Sequence, residues 1–267
     1  MNSLIKSYLL VSLIAIALFN SAEAQSDKAK KPSKTTKVVK TVPVKYTVNG
    51  RIEDMPNHFV VLNEFVANSL KVIDSCYTDT AGKFIFKGTI ENEKIMYLQY
   101  SKNGFIPLVI TKDMNTNLLI LPYTTGLNYE LSGIGFEKSH EIKNFLVNQT
   151  QYSKAVGDIE GVFNSGAELS EDQKYALEQQ YYQARDVSTN HIKESILNSK
   201  SGLTSYFILL NFVEEPEFPE IEAIYKKLLV ENPNSAYFKE IKLKYDVEAP
   251  TAIGSMAPDI SMVSPDG

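Results

Sequence analysis

Catalysis needs nucleophiles, acids, bases or metal ligands at workable spacings, and this chain offers few of them. Its one thiol is Cys76, and its three histidines are His58, His140 and His191. One cysteine excludes a disulfide framework, a four-cysteine zinc site and an intrachain Cys-x-x-Cys redox pair. The scattered histidines leave little for a metal cluster, and no cofactor motif is present. Asp74, Asp79 and Asp113 are too dispersed for an acid pair, and turn positions account for two of them. The residues themselves therefore assign no catalytic, cofactor-binding or metal-binding site. Cys76 lies in the strand-like run Val72-Ile73-Asp74-Ser75-Cys76-Tyr77. The reading favoured there is a small buried hydrophobe. A reactive thiol would need a cation or a helix N-terminus to lower its pKa, and the sequence shows neither. His191 falls on an apolar helical stripe. A hydrogen-bonded packing role is favoured over a general base, since no partner acid or nucleophile is in sight.

The elements that would position these residues change character along the chain. From Val44 the period is two. Val44, Tyr46, Val48 and Ile52 alternate with Lys45, Thr47, Asn49 and Arg51, and Gly50 takes an apolar-face position. That pattern predicts a half-buried strand. Asn49-Gly50 and Pro56-Asn57 are turn-prone. Further short strands are expected at Phe59 to Leu62, Leu70 to Tyr77, Phe84 to Gly88, Ile95 to Tyr100, Phe105 to Thr111, Asn117 to Leu121 and Leu127 to Ser132. Thr80-Ala81-Gly82-Lys83 reads as a hairpin turn between two of them. Strands at this spacing predict an antiparallel sandwich or barrel.

After Gly135 the period becomes 3.6. A helix is expected over Phe136 to Val156, with Ile142, Phe145, Leu146 and Gln149 on one face. Ser170-Glu171-Asp172-Gln173 is a capping box opening a long helix to about Asn198. Leu177, Tyr181, Ala184, Val187 and His191 lie near one stripe of it. Tyr206 to Val213 is apolar almost all round and predicts a buried helix. Glu217 to Glu231 carries Pro219 in its first turn and Ile221, Ile224, Tyr225, Leu228 and Leu229 at helical spacing. Asn234-Ser235 caps a last helix to about Tyr245. No repeat unit links these helices, so a solenoid is not expected.

The N-terminal end has a different composition. Lys6 precedes an apolar stretch, Leu9 to Phe19, and Ala22-Glu23-Ala24 is a small-x-small cleavage site. This predicts a cleavable signal peptide over 1–24, a mature start at Gln25 and export to a bacterial periplasm. An uncleaved membrane anchor is the alternative. No cysteine follows the apolar stretch, which excludes a lipoprotein anchor. Residues 25–45 then carry seven lysines and one aspartate, whereas 46–267 carry 19 basic and 30 acidic residues. The lysines lie among Ser, Thr, Pro and Val without an apolar period. A solvated linker over 25–43 is favoured over a polybasic arm touching anionic lipid. The acidic body and the export signal argue against nucleic acid. Over the whole 267 residues the formal charge is −5 and 43% of residues are hydrophobic, which is ordinary globular composition rather than wholesale disorder.

The last residues carry a motif. Ile253-Gly254-Ser255-Met256-Ala257-Pro258-Asp259-Ile260 is followed by Val263 and Asp266-Gly267. This resembles the start of a thioredoxin-fold domain of the peroxiredoxin-like (AhpC/TSA) and TlpA-like class. Ile260 stands where that class usually has Phe. Ala-Pro breaks the incoming chain, and Asp-Gly suits a type I′ turn between strands. Upstream, Gly50, Asp74-Ser75, Gly82-Lys83-Phe84-x-Phe86-x-Gly88 and Gly133 resemble the β domain of unknown function that precedes such thioredoxin domains in some Gram-negative bacteria. The helical stretch ending in Asn232-Pro233-Asn234-Ser235 resembles the connecting region of the same proteins. The resemblance implies an N-terminal accessory region of an exported thiol–disulfide oxidoreductase in cell-envelope redox homeostasis. Its implied partners are thiol-bearing envelope proteins or a redox partner. In that class the Cys-x-x-Cys lies beyond the Asp-Gly turn, so residues 1–267 should be catalytically silent. A non-enzymatic exported binding or envelope-organising module is the alternative.

The expected protein is thus α+β. A signal peptide (1–24) and a Lys-rich linker (25–43) precede an antiparallel β domain (44–136). A helical region (137–249) follows, then the truncated start of a thioredoxin-like domain (250–267).

Overall fold

The computed structural model describes residues 43–66, 69–122 and 127–255. The signal peptide, nearly all of the Lys-rich linker and the Ala257-Pro258 motif lie outside the described residues. The chain divides into two compact units, at Phe136/Glu137. The α+β class is observed, with eight strands preceding five helices among the described residues.

The first unit contains β1 (Val44–Ile52), β2 (Phe59–Val66), β3 (Ser69–Tyr77), β4 (Lys83–Ile90), β5 (Lys94–Gln99), β6 (Phe105–Ile110), β7 (Asn115–Ile120) and β8 (Tyr129–Ile134). They form two four-stranded sheets, ordered β4-β1-β7-β8 and β3-β2-β5-β6. One hydrophobic cluster draws Tyr46, Val48 and Ile52 from the first sheet and Val60, Leu62 and Leu98 from the second. A core shared by two sheet faces makes this a sandwich, which decides between the two architectures the strand spacing allowed.

Two features depart from the expected pattern. β1 and β7 run parallel, paired from Thr47↔Asn115 to Ile52↔Ile120, in an otherwise antiparallel molecule. Parallel neighbours need a long crossover, and the whole β2–β6 stretch supplies it. The segment 80–83 also joins no hairpin. β3 pairs with β2, and β4 pairs with β1, so the chain turns there from one sheet to the other.

Asp79 holds that corner. Its Oδ1 accepts from the backbone N–H groups of Ala81 and Lys83, both at 2.8 Å. The Lys83 N–H is the main reason its carboxyl sits below the usual range. Gly82 has φ +74°, and a Cβ there would fall 2.1 Å from the Ile52 carbonyl oxygen, so glycine is required. Thr78 fixes the other side of the corner. Its Oγ1 donates to the Met55 carbonyl at 2.7 Å and accepts from the His58 N–H at 2.8 Å.

β1 shows why Asn49-Gly50 is no turn. The strand runs straight through both residues, and Gly50 faces Phe84 across the β1–β4 pair. A Cβ on Gly50 would lie 1.9 Å from the Phe84 ring. The relation recurs in reverse four pairs away, where a Cβ on Gly88 would lie 2.7 Å from the Tyr46 ring. Val48 and Phe86 pair between them. Each glycine is the space its partner's ring occupies.

The second unit contains α1 (Glu137–Asn164), α2 (Glu171–Asn198), α3 (Gly202–Phe212), α4 (Phe218–Glu231) and α5 (Ala236–Glu248), followed by a short 3₁₀ turn (Ala249–Thr251). Ser170 and Gln173 form the capping box that starts α2, as expected. α1 runs beyond Val156, and α3 begins earlier than its apolar run because Ser201 caps it, accepting from the Thr204 N–H. Leu203, Tyr206, Phe207, Ile208 and Leu209 are all buried, so α3 is the apolar centre of the unit. α4 serves the ends of two other helices. Lys227 Nζ donates to the carbonyls of Ile196 and Leu197, in the last turn of α2, and to Ser205 Oγ. Glu231 accepts from the Gly202 N–H at the start of α3. A cation at a helix C-terminus and an anion at an N-terminus each oppose the local partial charge.

The Gly50–Phe84 contact predicts coupling. Gly50→Ala should destabilise the protein by about 1–3 kcal/mol, the usual cost of overpacking. Phe84→Ala should cost about 3–5 kcal/mol. In the Phe84→Ala background the Gly50→Ala change should cost clearly less, because the ring it collides with is gone. Urea melts of the four proteins measure this, and strictly additive effects would contradict the contact.

Candidate functional site

The residues singled out in the sequence are not brought together. Cys76 lies on edge strand β3, opposite Val60 of β2. It packs against the sandwich core but is only partly buried, which corrects the expectation of full burial: an edge strand has a neighbour on one side only. Burial pushes its thiol up, the Asp74 carboxylate adds to this, and a hydrogen bond with the Ile85 backbone opposes it. Both leading causes disfavour the thiolate. Asp74 receives the Ser75 N–H. Asp79 holds the corner described above, and Asp113 is a turn residue at φ 58°. His58 Nε2 makes a short hydrogen-bonding contact with the Tyr100 carbonyl, tying two loops of the sandwich together. His140 lies in the first turn of α1, half-buried. Among the described residues no group of three or more His, Cys, Asp or Glu side chains could hold a metal ion. No described helix is long and apolar enough to cross a membrane.

His191 is the singled-out residue that meets other polar side chains between two helices. α1 and α2 pack as an antiparallel pair. On α1 the seam reads Ile142, Phe145, Gln149, Tyr152, Val156, Ile159, Phe163, with spacings of three and four. On α2 it reads Leu177, Tyr181, Ala184, Ser188, His191. This alternation is the pattern of a coiled-coil seam. Gln149, Ser188 and His191 interrupt it with one polar layer. Gln149 Nε2 donates to Ser188 Oγ at 2.8 Å, so its Oε1 is the acceptor, 3.0 Å from His191 Nδ1. Nδ1 therefore carries the proton of the neutral ring. The imidazole stacks on Phe145, with centroids 5.1 Å apart and planes 4° from parallel, and meets Tyr152 at 4.9 Å.

This layer orients a histidine but gives it no reaction to perform. The Nδ1 partner is an amide, which cannot take the proton as a carboxylate would. Burial lowers the pKa of His191, and Glu194 only partly offsets this. The sequence reading of a hydrogen-bonded packing residue fits this geometry. What the sequence did not disclose is the pairing with Ser188, since one more serine on a polar helix carries no signal. Lys227 was missed for the same reason. A lysine between Lys226 and Leu228 reads as solvated until α2 is seen to end against it.

Two measurements check these assignments. Cys76 should react slowly with Ellman's reagent in native protein and fully after denaturation; complete reaction within a minute in buffer would contradict the raised thiol pKa. For His191 the folded pKa lies below the unfolded one, so the unfolded chain binds the proton more readily. Stability of the helical unit should hold above the ordinary histidine value of 6.5 and fall as pH drops through it. His191→Gln should flatten that part of the profile, and thermal melts followed by helical circular dichroism between neutral and mildly acid pH would show a steeper fall in the parent chain.

No curated protein and no solved structure matches the chain. The family described as Domain of unknown function (DUF4369) matches residues 46–127. The matched span opens inside β1 and closes two residues before β8, although β8 is the partner of β7 in the same sheet. A DUF4369 domain is therefore found at the head of the described chain, in the β-sandwich unit.

Proposed function

We propose that this chain is the N-terminal accessory region of an exported thiol–disulfide oxidoreductase, engaging envelope proteins that carry thiols while a thioredoxin-like domain performs the exchange. The observation that carries this reading is the order of parts. A DUF4369 domain comes first, a separate helical unit follows, and the Ala257-Pro258 motif comes next. Thiol exchange needs an attacking thiolate and a resolving thiol. Residues 1–267 contain one cysteine, and burial and Asp74 both push its thiol up. The accessory role asks nothing of Cys76 beyond packing. The Lys6-containing leader and Ala22-x-Ala24 support export, where such exchange chemistry operates.

The test has two arms. The codons that follow Gly267 in the gene should encode a Cys-x-x-Cys in frame; a stop codon in their place would overturn the reading in favour of a non-enzymatic binding module. The 267-residue chain should not accelerate dithiothreitol-driven insulin reduction, whereas a longer chain bearing the Cys-x-x-Cys should. Equal activity of the two chains would equally refute the accessory assignment.

A further inference from the structure

Each helix of the α1–α2 hairpin has 28 residues, a length of about 42 Å. The buried side chains lie at one end of the pair. They are Ser139, Ile142, Phe145 and Gln149 on α1 and Ile196 on α2. From Thr150 to Asn190 every residue is half-buried or exposed. Two helices alone bury too little to be stable in water without packing against something further. This length of hairpin therefore presents an unpartnered face.

That face has a shape. Tyr152 and Ala155 of α1 and Gln180, Gln183, Ala184 and Val187 of α2 line an open groove of about 340 Å³. Ala155 and Ala184 leave a notch between the two helices, and Tyr152 and Val187 form an apolar wall beside it. Val187, expected on the α2 seam, is instead 49% exposed and turned to this groove. A valley between two nearly parallel helices accepts a third helix, whose large apolar side chains enter where the floor residues are small.

The charge of the hairpin selects the partner. Residues 150–190 carry seven acidic and three basic residues. The excess leaves the stretch at a net −4 even though its ion pairs take up acids as well as bases, Lys154 with Asp158 and Lys174 with Glu171, while Arg185 lies over the Tyr181 ring. A second copy would bring like charge onto like charge. We propose that the groove between α1 and α2 docks an amphipathic, basic helix of a partner protein, with an apolar side chain seated between Ala155 and Ala184. The net negative charge of residues 150–190 steers the lysines or arginines of that helix and sets its affinity against salt. This proposal stands independently of the oxidoreductase reading.

The probe is a labelled synthetic helix of leucine and lysine in heptad pattern, with a leucine and glutamate version as its counterpart. Fluorescence anisotropy with the 267-residue chain should show saturable binding of the lysine peptide only, weakening as salt rises. Ala155→Arg fills the notch and adds a positive charge at an exposed helical position that tolerates arginine well. It should weaken binding about tenfold or more. Tyr182→Arg makes the same charge change on the opposite side of α2 and should leave binding unchanged. Circular dichroism melts establish that both variants stay folded, and Ala184→Gln provides a second notch variant should Ala155→Arg unfold. Equal loss in the two arginine variants would reduce the effect to bulk charge and overturn the proposal, as would equal binding of both peptides. Concentration-dependent dimerisation abolished by Ala155→Arg would assign the groove to a second copy and overturn it likewise.

Discussion

The β-sandwich depends on side-chain reciprocity across one strand pair. β1 is the strand with neighbours of both directions, antiparallel β4 on one side and parallel β7 on the other. On its core face two aromatic rings lie over two glycines, Phe84 over Gly50 and Tyr46 over Gly88, with Phe86 opposite Val48 between them. Neither ring could keep its place if its partner had a side chain. The arrangement fills the core with large groups while keeping the pleat unbroken. It also fixes register, because a one-residue slip would set both rings against occupied positions and turn the apolar face outward.

The corner at Asp79 follows from the same pair. β4 ladders with β1 and β3 with β2, so the chain changes sheets within the few residues after Tyr77. Backbone groups at such a corner lose their ladder partners and need others. Asp79 and Thr78 supply them with side-chain oxygens, and the Ile52 N–H bonds to the Gly82 carbonyl at 2.9 Å. The acid in this motif therefore has a structural use that accounts for its depressed pKa. A carboxylate receiving two backbone N–H groups is stabilised in its charged form without any catalytic partner.

Much of this was legible in the residues, and the boundary of legibility has a physical cause. Alternation from Val44 to Ile52 identified β1 and its inward face, and even the inward place of Gly50, because burial has period two in a strand. The capping box at Ser170 located the start of α2 because it is a local hydrogen-bond pattern. Partner choice was not legible. Thr80 to Lys83 has the composition of a hairpin turn whether or not the flanking strands pair, and the parallel β1–β7 contact joins residues more than sixty positions apart. The polar layer at Gln149 was legible by half. Its place on a helical face followed from periodicity, but its partners belong to another helix.

The helical unit divides the same way between what local pattern dictates and what distance decides. α3 is apolar on all sides, so it must be central wherever its neighbours lie. Those neighbours are then held by groups that oppose the partial charges of helix ends, Lys227 at the end of α2 and Glu231 at the start of α3. Both sit one turn apart on α4, so a single helix sets the angle of the α2–α3 corner. The Gln149–Ser188–His191 layer sets how far α1 can slide along α2, since each hydrogen bond is lost if the seam shifts by one step of three or four residues. Beyond that layer the two helices continue for several turns without a buried residue. A hairpin whose alignment is specified so closely, and whose outer length has no fully buried residue, places its groove reproducibly. That is the requirement for a docking surface and is of little use to a helix pair that only fills space.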